Sequence, residues 1–405
     1  MTTPIIGNFQ WMKSLNRSLV LNTIRSEGPI SRADIAKKTA LAPPTVTNIV
    51  NELLEERFIV ESEVGLSSGG RKPILLKLND SAYSVIGVDV GVSAIRSVMT
   101  DLNASVIAES KRPLPPRLDQ ELFLATLKQA VYDLMHAADP GRQTIGIGIG
   151  MHGLVDPVRG ISVFAPNMGL RNIPLREELE REFSLPVHVE NDAVAMAIGE
   201  LWHGSGKETD HFICVNIGVG VGAGIVLNRQ IYRGASFTAG EIGHTTVDLN
   251  GPRCSCGNFG CLQTLVSGPA IAEYVQKEIA MGRGSLLSPG EHQNLQDIDG
   301  EAVCAAALAG DELSIESFRK AGRLLGISLT NLIHTLNPQK IILGGGVAKS
   351  GALLLEPLME TIDSRALESA ASKVVIEVSR LGDQATAIGA ATIELSRLFS
   401  AQMQL

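Results

Sequence analysis

The chain has 405 residues, 44% hydrophobic and 19% charged, which is too long for one ordinary domain and too apolar for a disordered protein. No apolar run nears the ~20 residues of a membrane span, and the opening MTTPIIGNFQWMKSLNRS lacks the basic-then-apolar order of a secretory signal. The net charge of −8 is uneven: residues 1–80 hold ten Lys/Arg against eight Asp/Glu, and the remainder 25 against 35, so an acidic body carries a mildly basic head that is compatible with DNA contact through the head alone.

The first predicted elements are helices. Ser31-Arg32-Ala33-Asp34 places a hydroxyl at a helix start and a carboxylate three residues on, a capping-box arrangement. Ile35 and Ala36 point inward and Ala40-Leu41 supplies a turn. Pro43-Pro44 then opens a second helix, where a missing N–H is harmless. Val46, Ile49, Val50, Leu53 and Leu54 recur at helical spacing as one buried stripe. Thr45, Thr47, Asn48 and Asn51 remain on the open face, short polar side chains suited to base edges and phosphates. After residues 58–61, the stretch 65–77 reads as a hairpin turning at Ser67-Ser68-Gly69-Gly70, with Arg71 and Lys72 just past the tip. Helix, helix, reading helix and basic wing make a winged helix-turn-helix; the alternative is a three-helix module that packs a partner. Arg32, Thr45, Thr47, Asn48, Asn51, Arg71 and Lys72 are the candidate DNA contacts.

From about residue 81 the pattern changes to strands and glycine turns. VIGVDV (85–90) passes through Gly91 into residues 95–101, and FICVNI (212–217) through Gly218, Gly220, Gly222 and Gly224 into residues 225–227. This loose duplication predicts two α/β lobes facing a cleft. Residues 315–336 and 385–398 read as helices, and PQKIILGGG (338–346) as a buried strand ending in a glycine turn. The expected divisions are a head of 1–80, a first lobe of 81–195 on which residues 383–405 pack back, and a second lobe of 196–382.

His244, Cys254, Cys256 and Cys261 offer one imidazole and three thiolates, a common closed set for structural zinc, with glycines between them to let the loop wrap an ion. A free-thiol loop beside a buried histidine is the plainer alternative. Five cysteines, an odd number with three crowded into eight residues, fit a reducing cytoplasm better than a disulfide framework. Asn191-Asp192 follows an apparent strand (187–190) and precedes a helical run, so it lies where α/β proteins gather ligand groups. Asp192 there either accepts a proton from a hydroxyl or caps a helix. Gly91 and Gly218–Gly224 suit phosphate contacts. The segment 148–153 (GIGMHG) matches G-x-G-x-x-G but runs into Leu154-Val155-Asp156-Pro157, not a clear helix, and no phosphate-binding P-loop motif occurs.

These residues together resemble the ROK family of repressors and sugar kinases over essentially the whole chain. SSGGRKP (67–73), GVDVGV (87–92) and GPRCSCG (251–257) look most like the Bacillus-type xylose repressors of its repressor branch, while Leu41-Ala42-Pro43 is shared with glucose-responsive and N-acetylglucosamine repressors. The resemblance implies an α/β, two-lobed actin-like (ribonuclease-H-like) body behind the winged helix-turn-helix, one zinc at His244, Cys254, Cys256 and Cys261, and a sugar held by Asn167, Asn191, Asp192, Glu241, His244 and Gln263. Gln263 replaces the family's usual glutamate, a neutral amide with altered sugar preference. Val92-Ser93 and Val219 replace phosphate-loop residues of the kinases, and a valine methyl cannot hold a phosphate oxygen. Asp192 nevertheless keeps the kinase-base position.

The expectation is a cytoplasmic, sugar-responsive repressor of xylose or related sugar genes, not an enzyme, binding operator DNA as a homodimer or homotetramer. A glucokinase-like hexose kinase with an appended head, and a regulator answering to a protein partner, are the rivals.

Overall fold

The computed structural model describes residues 9–64, 73–288 and 294–400. The head opens with α1 (Phe9–Glu27), β1 (Ile30–Ser31), α2 (Arg32–Thr39) and α3 (Pro43–Glu55). The expected cap forms: Ser31 Oγ accepts from the Asp34 amide at 3.2 Å and donates to the Asp34 carboxylate at 2.7 Å, satisfying an amide that a helix start leaves open. Val46, Ile49, Val50 and Leu53 of α3 are buried with Val20, Leu21 and Ile24 of α1 and Ile35 of α2 in one core, while Leu54 is half-buried. Strands β2 (Ile59–Val64) and β3 (Ile74–Leu78) pair antiparallel. The hairpin therefore begins earlier than residue 65: Ile59–Val64 is its first strand, anchored by Ile59 in the core. β1 joins as a third strand, in the order β1-β3-β2; two residues are too few to leave a periodic signal. The turn with Arg71 and Lys72 lies outside the described residues.

The body begins with β4 (Tyr83–Val90), β5 (Ala94–Thr100), β6 (Val106–Pro113), α4 (Gln120–Ala137) and β7 (Gln143–Met151). A small antiparallel sheet of β8 (Leu154–Asp156), β9 (Ile161–Ala165) and β10 (Leu170–Ile173) follows, then α5 (Leu175–Phe183), β11 (Val187–Asn191) and α6 (Asp192–His203). The second half holds β12 (Phe212–Ile217), β13 (Val221–Leu227), β14 (Gln230–Tyr232), α7 (Gln263–Val266), α8 (Gly268–Ala280), α9 (Gly300–Leu308) and α10 (Glu312–Leu336), then β15 (Lys340–Gly344), α11 (Ala352–Arg365), α12 (Glu368–Ala371), β16 (Val375–Val378) and α13 (Ala385–Phe399). The duplication suspected from sequence is topological. One sheet runs β11-β7-β4-β5-β6 and the other, read from its opposite end, β16-β15-β12-β13-β14. In each, the first strand pairs antiparallel with the second and parallel with the fourth. One expectation needs correction. The second glycine turn spans only residues 218–220, since Gly222 and Gly224 lie within β13, whose flat surface receives Ala193 and Ala197 of α6.

α13 returns across β4 and β7 and crosses α6. The crossing is close because Gly389 faces Ala195 and Gly199: a Cβ on Gly389 would fall 1.8 Å from the Ala195 carbonyl oxygen. The far end of α13 meets the head. Phe399 O accepts from Asn22 Nδ2 at 2.5 Å, and Ile388, Leu395 and Phe399 share the core of α1–α3. Tyr83 of β4 stacks on Phe58 at 4.6 Å and donates to Glu56 O at 2.6 Å. Head and body thus share a packed junction.

Candidate functional site

Strands β7 and β11 run parallel with Met151 opposite Asn191, so the residues that follow them, His152 and Asp192, emerge side by side. His152 Nδ1 lies 3.6 Å from Asp192 Oδ2, and its Nε2 lies 3.1 Å from Asn167 Nδ2 on the turn after β9. Asn191 takes the capping role: its Oδ1 accepts from the Ala193 and Val194 amides, and its Nδ2 donates to Gly153 O at 3.0 Å. That leaves the Asp192 carboxylate at the first position of α6, where helix amides favour negative charge, its side chain 18% exposed.

The opposite wall comes from a short turn, residues 242–244, that lies on β13. Gly240 brings it there, with φ +96° and no room for a Cβ, which would sit 1.8 Å from Ala223 O. Burial, and then the charge of Asp192, raise the Glu241 carboxyl above its ordinary range, against the pull of His152. Burial pulls the His152 imidazole down, but its bond to Asp192 and the charges of Asp192, Glu241 and Asp89 outweigh it, and the net shift is upward. Gln263 opens α7; a Cβ on Gly220 would meet His152 Cε1 at 3.3 Å and Gln263 Oε1 at 3.8 Å. Asn167, Asp192, Glu241, His244 and Gln263 therefore converge, with Asn191 as their scaffold.

Two residues of this cleft escaped the sequence reading. His152 belongs to the GIGMHG segment, whose sequence signal is its glycine spacing. Asp89 sits inside GVDVGV on β4. It is pushed up to about 7, chiefly by burial and then by Asp192, with Arg96 and His152 opposing. Asp89, His152 and Asp192 can hold and move a proton on a bound hydroxyl; carboxylates and amides that accept and donate suit a polyol.

Beside the cleft, the ligand atoms of His244, Cys254, Cys256 and Cys261 lie within 4.8 Å of one another. His244 turns Nδ1 to Cys254 Sγ at 3.5 Å and Nε2 toward Glu241, 3.9 Å away. Gln263 Nε2 donates to Cys254 Sγ at 3.4 Å, so the amide links this cluster to the cleft. One imidazole and three sulfurs at this spacing can hold a metal ion.

On the head, Thr47, Asn48 and Asn51 are exposed along α3 and Thr45 is half-buried. Thr47 Oγ1 donates to Pro43 O at 2.9 Å, leaving the asparagine amides as the freer donors and acceptors. Arg32 lies 3.3 Å from Glu61. Lys13–Glu52 and Arg17–Glu56 ion pairs fasten α1 to α3.

Residues 85–397 match the ROK family and residues 15–60 the winged helix-turn-helix DNA-binding family. The chain belongs to the ROK family. It is 34% identical to the xylose repressor of Bacillus subtilis over 398 residues, 96% of this chain and 97% of that one. It is equally 34% identical to the N-acetylglucosamine repressor of Escherichia coli O157:H7 over 385 residues, 95% and 93% of the two chains. The crystal structure of a ROK family transcriptional regulator, a homologue of the E. coli MLC protein, superposes with a TM-score of 0.83 at 30% identity, covering 96% of this chain and 98% of that one. A ROK family glucokinase from Streptomyces griseus, in complex with glucose and AMPPNP, matches with a TM-score of 0.70 at 32% identity, covering 76% and 98%. No helix among the described residues is long and apolar enough to cross a membrane.

Proposed function

We propose that this ROK protein is a sugar-responsive transcriptional repressor, cytoplasmic and acting as a homodimer or homotetramer, whose effector is xylose or a related sugar. The observation that carries the reading is mechanical. Asp192, in the hydroxyl-binding cleft, is the first residue of α6; α6 crosses α13 at Gly199 and Gly389, and the end of α13 bonds the head through Asn22. A sugar that binds the closed cleft better than the open one shifts the position of α13, and with it the spacing of two reading helices on a near-palindromic operator. Asn167, Asp192, Glu241, His244 and Gln263 contact the sugar, positioned by Asn191. Thr45, Asn48 and Asn51 read base edges; Arg32, Arg71 and Lys72 approach phosphates. The head of 1–80 thus answers to lobes at 81–195 and 196–382.

Zinc suits the His244, Cys254, Cys256 and Cys261 set, as a structural ion that ties the loop. When bound, it would supply positive charge to the three thiolates, and the His244 ring that helps hold it keeps its Nε2 toward Glu241. Gln263 holds Cys254 and the cleft at once, so loop closure and sugar fit are coupled.

The test is to titrate xylose, glucose and N-acetylglucosamine into the protein bound to DNA from upstream of its own gene. One sugar is expected to release the DNA and to raise the melting temperature of the free protein. Indifference to every sugar in both assays refutes the reading. A kinase remains the second reading because the Asp89–His152–Asp192 group is intact. Val219 stands 41% exposed on the turn after β12, an apolar side chain where the kinases' phosphate loop carries a hydroxyl, so ATP consumption with these sugars is expected to be absent. Turnover lost in Asp192→Asn would favour the kinase.

A further inference from the structure

A cavity of about 200 Å³ lies between head and body, at the opposite end of α6 from the cleft. His203 stands eleven positions after Asp192, roughly 16 Å along a helix. α1 supplies Arg25 to its wall, α6 Trp202 and His203, the following loop Lys207, and α13 Phe399.

Apart from the amide of Asn103, the polar side chains of this cavity are two cations and an imidazole. The Arg25 guanidinium lies over the Trp202 ring at 4.3 Å and the Phe399 ring at 5.0 Å. Its side-chain bond, to Asn22 Oδ1, is long at 3.4 Å, and its Nε is buried without a partner. His203 Nε2 is also buried without a partner. Lys207 stands close enough to act on the His203 charge; burial first, then Arg25 and Lys207, hold that imidazole down at about 4. Among the described residues, no carboxylate pairs with Arg25, His203 or Lys207. The neighbouring acids are committed elsewhere: Asp101 accepts from the Asn103 and Ser105 amides, and Glu200 from Ser205 N and Ser379 Oγ. Buried donors without acceptors are unfavourable; Arg25 Nε and, in its neutral Nε2–H tautomer, His203 Nε2 are two of them, and with the exposed Lys207 ammonium at the mouth they describe the complement of an oxyanion.

We propose that this cavity is a binding site for a small phosphate-class oxyanion, inorganic phosphate or a compact phosphate monoester, held by Arg25, His203 and Lys207. Three donors from different directions match a tetrahedral anion better than a planar carboxylate. The cavity is smaller than a drug-sized ligand needs, which favours a compact anion over a nucleotide, and its aromatic walls accept a short carbon stub. Because Arg25 comes from the head and the other two from the body, a bound anion bridges the two.

The test is calorimetric titration of inorganic phosphate into full-length, zinc-loaded protein without DNA, against chloride at matched ionic strength. Phosphate is expected to bind once per chain, about tenfold more weakly after Lys207→Met or His203→Gln; both variants keep the Arg25 stacking, and their unchanged melting in chloride checks folding. No heat beyond chloride, or unchanged affinity in both variants, overturns the proposal. So does an absent phosphate signal combined with weaker operator binding and a shallower salt dependence in Lys207→Met, which would assign the cations to the DNA backbone.

Discussion

Gly389→Ala tests the helix crossing that carries the proposed communication between cleft and head. The new methyl would stand 1.8 Å from Ala195 O, 2.5 Å from its carbonyl carbon and 3.0 Å from Gly199 N. An ordinary carbon–oxygen contact begins at about 3.3 Å, so the two helices must part locally by about 1.5 Å. Neither can yield freely, since α13 is pinned against β4 and β7 and α6 against β12 and β13. The clash is with backbone rather than a flexible side chain, which places the cost near the top of the overpacking range, about 3 kcal/mol. At roughly 2–4 °C per kcal/mol for a large domain, the melting temperature should fall by about 6–12 °C. Scanning calorimetry measures this against Gly284→Ala, where nothing lies within 4 Å of the added carbon. The same variant should bind operator with a smaller response to sugar. If Gly389→Ala melts with wild type and responds fully, the crossing is not tight and the route through α6 and α13 is wrong.

Other expectations are independent of that route. Cys256→Ser should lose bound zinc on metal analysis and melt earlier, because three ligands hold a structural ion far less well than four; stoichiometric zinc in this variant would remove Cys256 from the set. Asp89 has its folded-state value raised to about 7 from an ordinary 3.8. The folded form therefore keeps a proton that the unfolded form releases, and stability falls as pH rises from about 4 to 7, by up to roughly 4 kcal/mol. Asp89→Asn should remove that slope, so its melting temperature gains on wild type between pH 5 and 8; parallel curves would contradict the buried carboxyl. Asn51→Ala should weaken operator binding by about 10- to 100-fold through a lost base contact without altering the salt slope. An equal loss on unrelated DNA would show that Asn51 does not read sequence.

The His244, Cys254, Cys256 and Cys261 cluster was legible because its cysteines fall within eight residues and the capacity to hold a metal ion is a property of side-chain type. The helices of the head were legible for a similar reason, since capping and helical spacing are local. The cleft was half legible. Asp192 and Asn191 stood out as a strand end, but which of them caps the helix depended on φ/ψ at a single junction. His152 was hidden in a glycine pattern. It joins the cleft only because β7 and β11 pair in register, placing Met151 beside Asn191 forty residues away.

What the chain encodes locally, its elements, the polar face of α3 and the four residues that could hold a metal ion, follows from periodicity and residue chemistry over a few turns. What folding alone decided is which distant groups meet. Asn22 bonds Phe399 across 377 residues, and Gly389 admits Ala195 to van der Waals contact. Arg25, His203 and Lys207 come together without an acid. Linear spacing carries no trace of such meetings, because they are set by the packing of surfaces that exist only once both sheets have formed.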